Sequence, residues 1–165
     1  MKLLAGRRFR VASHTAAAAY AAELLREFGA EVAHDTALEP EGLGAYLGQD
    51  ARFVREPAVY HVRGVPLVTD APVTAANREL LSRLAQAGPV VWLTPWGLDN
   101  PWSERPFSAL LLQAAGGWMS AVGAAAEEPL GPPGDQALFV AGLYGAIAAL
   151  ALTGETGLTD VSMAE

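Results

Sequence analysis

The first apolar run, Phe9 to Ala12, is short enough for a strand, and in Ala16 to Phe28 after it Tyr20, Leu24, Leu25 and Phe28 recur at helical spacing. Gly29 stops that helix and Glu31 to His34 resumes as a second strand, so the opening predicts a right-handed parallel βαβ unit. Further on, Thr74 to Ala87 sets Leu80, Leu81 and Leu84 on one helical face with Thr74 as N-cap. Gly88 and Pro89 end that helix, and Val90 to Leu93 reads as a buried strand, a second crossover. Phe107 to Met119 and Gln136 to Leu152 predict two more helices, separated by the turn-rich Gly123 to Asp135, and Leu158 to Met163 predicts a last strand. Between the two crossovers, Glu39 to Val73 mixes Pro and Gly with the short runs Val59 to Val62 and Val65 to Val68, which suit a hairpin or irregular edge strands. The pattern as a whole predicts one α/β domain over residues 1–165, an open and mostly parallel sheet with helices on both faces.

Composition sharpens this picture. Apolar residues make up 52% of the 165 and charged ones 18%, a balance that supports a packed core. Many of the apolar residues are alanines, which bury little area each, so either helices approach one another closely or another chain completes the surface; the second is the expectation here. A net charge of −7, with no cluster of Lys and Arg, argues against nucleic acid as a partner. Cysteine is absent, which excludes a disulfide framework, a thiolate metal site and a cysteine nucleophile and fits a cytoplasmic protein. No signal-peptide pattern follows Met1 to Arg10. The longest apolar stretch, Ala137 to Thr153, is shorter than the roughly 20 residues of a membrane span and reads as a buried helix, so no membrane association is expected.

Four collinear segments carry a resemblance. They are Tyr20 with Leu24 to Val32; Leu93-Thr94-Pro95-Trp96-Gly97 with Asn100-Pro101-Trp102 and Glu104-Arg105-Pro106; Gln113 to Ser120 followed by Gly123; and Gly142-Leu143-Tyr144 with Ala146 to Leu150, Thr156-Gly157 and Asp160 to Met163. In that order and spacing they resemble the large domain of the family III CoA-transferases (CaiB/BaiF-like), the group of formyl-CoA transferases, carnitine CoA-transferases and 2-methylacyl-CoA racemases. Glu39 to Leu84 matches the family poorly. The resemblance implies a Rossmann-like sheet, with this chain as the N-terminal portion of the family's large domain and the second domain absent. It also implies CoA or an acyl-CoA as ligand with no resident cofactor, and assembly as a homo-oligomer or with a longer CoA-transferase-like subunit.

The family's transferases use an aspartate that forms a mixed anhydride with the acyl group and then a thioester with CoA. The resemblance puts that carboxylate at Leu138. Asp135 is the nearest acid, three residues and almost one helical turn earlier; it takes over the role only through a local shift, and is otherwise an ordinary N-terminal helix acid. The racemase branch moves a proton with a His and an Asp, whose positions correspond to Ser108 and Ala109. The chain is therefore expected to be non-catalytic by itself, a subunit or interaction partner in CoA-thioester metabolism. The alternatives are half of a split enzyme whose carboxylate comes from a partner chain, or a small-molecule binding domain.

Ligand candidates are His14, at the end of the first strand where a ligand crevice lies, and Thr94, Trp96, Gly97 and Trp102 in the loop after a later strand. Trp92 and Trp118 are assigned to the core, and Trp96 and Trp102 to ligand or partner contact. Arg52, Arg55, His61 and Arg63 are the cations of the poorly matched middle, either solvated surface or part of a phosphate clamp. His34 and His61 have no partners at metal-ligand spacing, and Glu127-Glu128 would face apart, so no metal site is expected. Gly42-Leu43-Gly44 lacks the third glycine of a dinucleotide fingerprint and reads as loop.

Overall fold

A computed structural model describes residues 2–39, 41–55, 63–123 and 127–164. Strand β1 (Arg8–Ser13), helix α1 (Ala16–Glu27) and strand β2 (Glu31–Thr36) form the expected first unit. Then follow α2 (Gly42–Leu47), β3 (Arg52–Phe53), β4 (Leu67–Thr69), α3 (Ala75–Ala85), β5 (Pro89–Thr94), α4 (Ala109–Ala115), α5 (Trp118–Ala121), α6 (Gln136–Ala151) and β6 (Gly157–Ser162). The strands make one sheet in the order β3-β2-β1-β4-β5-β6, and every pairing is parallel. This is the expected α/β architecture.

The core has two sides because β5 is buried along its whole length. Val91 and Leu93 face α1 and α6, while Val90 and Trp92 face α3 with Leu81 and Ala85. Thr15 caps α1 and Thr74 caps α3, each side-chain oxygen accepting a backbone N–H of the first turn. The alanine load is explained at the α1–α6 contact. Ala16 to Ala19, Ala21 and Ala22 are all buried in the core, and at Gly142 of α6 even a Cβ would stand 2.4 Å from the Ala17 carbonyl oxygen. Small residues are what let the two backbones approach this closely.

Several expectations need correction. Val65 to Val68 is no hairpin arm or edge strand: its end is β4, a central strand between β1 and β5. Val59 to Val62 lies outside the described residues. Gly42-Leu43-Gly44 opens α2 rather than a loop, with Leu47 buried at its end. The single helix expected over Phe107 to Met119 is two, because Gly117 takes the left-handed conformation at φ 76° between them. Trp92 is in the core as expected, but Trp118 is 36% exposed and Trp96 only 6%. The long apolar helix α6 is buried on one face alone, with Leu143, Tyr144, Ile147 and Leu150 exposed.

Candidate functional site

In an open parallel sheet the strand order reverses at one point, and the loops leaving the two strands there part to form a crevice. Here that point lies between β1 and β4. A cleft of about 740 Å³, counting its open mouth, sits there, lined by His14 after β1, Asp70 and Pro72 after β4, Pro95 after β5, Arg105 of the following loop and Met163 after β6.

Asp70 organises the cleft. Its Oδ1 accepts the His14 N–H at 2.6 Å, and its Oδ2 accepts the Thr15 N–H at 3.0 Å, the Thr15 hydroxyl at 2.6 Å and the Ala18 N–H at 3.2 Å. A buried carboxylate thus fills the positive end of α1, the place where a phosphate sits in many sheets of this order. The His14 Nδ1 lies 3.6 Å from Asp70 Oδ1, with the ring partly exposed to the cleft. Asp70 was not legible in the sequence, because its partners lie more than fifty residues away.

Of the ligand candidates, only His14 lines this cleft. Thr94 is fully buried; its hydroxyl donates to Asp160 Oδ1 at 2.6 Å and accepts the Gly97 N–H at 3.1 Å. Both residues are thereby committed to tying the post-β5 loop to β6. The Trp96 indole N–H donates to the Arg105 carbonyl, so Trp96 anchors the loop from below. Trp102 is half exposed, packed edge-on against Trp96, with the Arg105 guanidinium 5.8 Å from its ring centre. Ser108 caps α4 by accepting the Leu111 N–H at 3.3 Å. Leu138 is buried in the main core, and Asp135 stands at the α6 N-cap without a side-chain capping bond.

Arg52 is neither free surface nor phosphate clamp: it makes a two-pronged contact to Asp35, at 2.8 and 3.0 Å. Arg10 reaches the same carboxylate from β1 at 3.0 Å. The Arg52 hydrogen bonds above all hold the Asp35 carboxyl below its usual range. Arg55 and Arg63 are exposed, and His61 lies outside the described residues.

Ser13 and His34 form a buried pair, Oγ to Nε2 at 2.8 Å, that has the distance of a nucleophile and its base. The rest of the network excludes that role. Arg26 approaches His34 Nδ1 at 2.8 Å, so Nδ1 accepts and Nε2 carries the proton towards Ser13, the opposite of what a general base needs. Ser13 in turn donates to Thr36 at 2.9 Å, and it is fully buried. Burial and then Arg26 push the His34 pKa down to about 4, which keeps the ring neutral. Among the described residues no group of His, Cys, Asp and Glu is placed to hold a metal ion, and no helix is long and apolar enough to cross a membrane.

Residues 90–165 match the model of CoA-transferase family III. No curated protein matches the chain. Among solved structures, Rv3272 from Mycobacterium tuberculosis superposes with a TM-score of 0.67 at 18% identity over 99% of this chain and 54% of that one. A CaiB/BaiF family protein from Brucella suis gives 0.57 at 22% identity, over 97% of this chain and 53% of that one. The chain thus spans about half the length of these structures, and at such identities they show a shared fold. The family match covers three of the four resembling segments, all except Tyr20 to Val32, and the fold it belongs to is the one seen across the whole chain. Residues 90–165 are thus similar to CoA-transferase family III, and the chain as a whole shares the fold of these solved structures.

Proposed function

We propose that the chain is a non-catalytic CoA-transferase family III-like domain, a cytoplasmic subunit or interaction partner in CoA-thioester metabolism. The observation that carries this reading is Leu138. The position that the resemblance assigns to the nucleophilic carboxylate holds a leucine packed in the main core, and the nearby Asp135 does not line the cleft. The cleft's charges agree. CoA brings several phosphate charges, whereas Arg105 and His14 are set against Asp70 and Glu104. The test is acyl exchange between a short acyl-CoA and a carboxylate acceptor, followed by mass spectrometry, with calorimetric titration of CoA alongside. The chain alone is expected to leave the exchange at its uncatalysed rate. Exchange by the chain alone, lost in Asp135→Asn, would overturn the reading in favour of a relocated nucleophile.

A second reading is favoured by the persistence of the cleft at the switch point between β1 and β4. In it the chain supplies half of a thioester site and a partner brings the carboxylate. Exchange that appears only after a companion chain is added distinguishes it from the first reading.

A further inference from the structure

Two helices start at the cleft between β1 and β4, α1 after Thr15 and α3 after Thr74, and both caps belong to its lining. The free N–H groups at such a start make a seat for an anion. Here both seats are filled from within the chain. Asp70 takes the N–H groups of His14, Thr15 and Ala18, and the Thr74 hydroxyl takes that of Asn77 at 3.1 Å. The arginine of the lining is engaged as well: the Arg105 guanidinium is held over the ring of Trp102, which is not part of the lining. A carboxylate or phosphate entering the cleft meets donors already in use.

Acceptors are what the cleft leaves open. The Glu104 carboxylate lines it and has no hydrogen-bond or ion-pair partner among the described residues. His14 supplies a second acceptor. Its Nδ1 is buried without a hydrogen bond and stands 3.6 Å from Asp70 Oδ1. A nitrogen lone pair facing a carboxylate would be repelled, so the proton of the neutral ring sits on Nδ1, and Nε2 on the exposed part of the ring is left to accept. Asp70 behind the imidazole makes that nitrogen more basic, as a carboxylate does behind a ligating histidine. Between these groups the lining is apolar, with Val73, Pro95, Phe107 and Met163, and its volume of about 740 Å³ with the mouth suits a small organic molecule.

We propose that the cleft binds a small organic ammonium ion, a primary amine on an apolar body, which donates its N–H groups to the Glu104 carboxylate and His14 Nε2 and lays its body against Phe107 and Met163. The charge of the lining agrees, since Asp70 and Glu104 outnumber Arg105 when His14 is neutral. A donor of this kind also meets each unpaired acceptor with a charge-assisted hydrogen bond. The inference goes beyond the functional reading and stands without it, because holding an amine requires neither the presence nor the absence of acyl exchange.

The test titrates the whole isotope-labelled chain with phenethylamine and, separately, with phenylacetate, which carries a carboxylate on nearly the same body, and follows the amide resonances. Phenethylamine is expected to shift the amides of His14, Thr15, Glu104 and Arg105 with a Kd on the order of 1 mM, in keeping with its size. Phenylacetate at the same concentrations is expected to leave them unmoved. Glu104→Gln, at an exposed position, and His14→Phe, which keeps a ring without an acceptor, are each expected to weaken the amine about three- to tenfold while the far-ultraviolet circular dichroism stays unchanged. The ring nitrogens of His14 are expected to show the proton on Nδ1. No saturable shift up to ~20 mM amine, phenylacetate bound as tightly as the amine, or full affinity in both variants would overturn the proposal. CoA that moves the same amides would overturn the amine site and leave the non-catalytic reading standing, whereas acyl exchange by the chain alone would do the reverse.

Discussion

Asp70 gives both carboxylate oxygens to the start of α1, where three backbone N–H groups and the Thr15 hydroxyl converge on it. Removing it leaves buried donors without an acceptor, each costing about 1–3 kcal/mol, while relaxation and water entry recover part of the sum. Asp70→Ala is therefore expected to destabilise the fold by about 2–4 kcal/mol, a fall of roughly 5–15 °C in melting temperature for a chain of this size. The same substitution opens an anion seat at a helix N-terminus. Inorganic phosphate is expected to raise the melting temperature of Asp70→Ala and to leave the wild type unmoved. A wild type stabilised as strongly as the variant would show that the carboxylate does not occupy the seat. His14 belongs to the same local logic: position alone pointed it at the crevice, and the crevice is where the fold puts it. Thr94 and Trp96 show the opposite. Their place in a loop suggested access, yet one is consumed by Asp160 and the other by the Arg105 carbonyl, partners that only the folded chain brings near.

Between elements, the contact of α1 with α6 is the tightest test of the packing. A glycine inside a helix normally gains about 0.5–1 kcal/mol on replacement by alanine. At Gly142 the added methyl would lie 2.4 Å from a backbone oxygen that cannot swing away, so overpacking, at about 1–3 kcal/mol, outweighs the propensity gain. Gly142→Ala is expected to lower stability by about 1–2 kcal/mol in urea titration, and a stabilised variant would contradict the packing described here. This contact also explains what was legible in advance. The elements with a clear period or sharp bounding turns, α1, α3, β5 and α6, emerged close to where the pattern placed them. The element that misled, β4, has three residues and no alternation, because a central strand is buried on both faces and leaves a pattern no different from any short apolar run. The break between α4 and α5 failed for a related reason: a glycine pair inside an apolar stretch does not announce which glycine turns left-handed. For α6 the composition was read correctly as helix but wrongly as buried on all sides, since a sequence does not say whether the second apolar face meets its own core or another surface.

At the scale of the molecule, charge and burial make opposite predictions for acid, and magnitudes decide between them. Lowering the pH from 7 towards the isoelectric point near 4.9 removes net negative charge, which relieves a repulsion spread over an exposed, screened surface. His34 works against that. Its folded pKa is depressed to about 4 from an ordinary 6.5, so between those values the unfolded chain binds the extra proton and the folded chain does not. The contribution is complete above pH 6.5 and is lost as the pH falls to about 4, a total of about 3 kcal/mol. Asp35 adds to the loss at still lower pH, because its carboxyl is held below its ordinary 3.8 by Arg52 and Arg10. The His34 effect exceeds the surface term, so the urea midpoint is expected to drop between pH 6.5 and pH 4.5 even as net charge vanishes. Substituting His34→Gln removes the titrating ring. Its stability at pH 7 falls, since the contacts with Ser13 and Arg26 are disturbed, but its dependence on pH between 6.5 and 4.5 flattens. A variant that keeps the wild-type slope would assign the acid sensitivity to other groups, and a wild type that gains stability on acidification would mean that surface repulsion, not the buried network between β1 and β2, governs how this fold responds to protons.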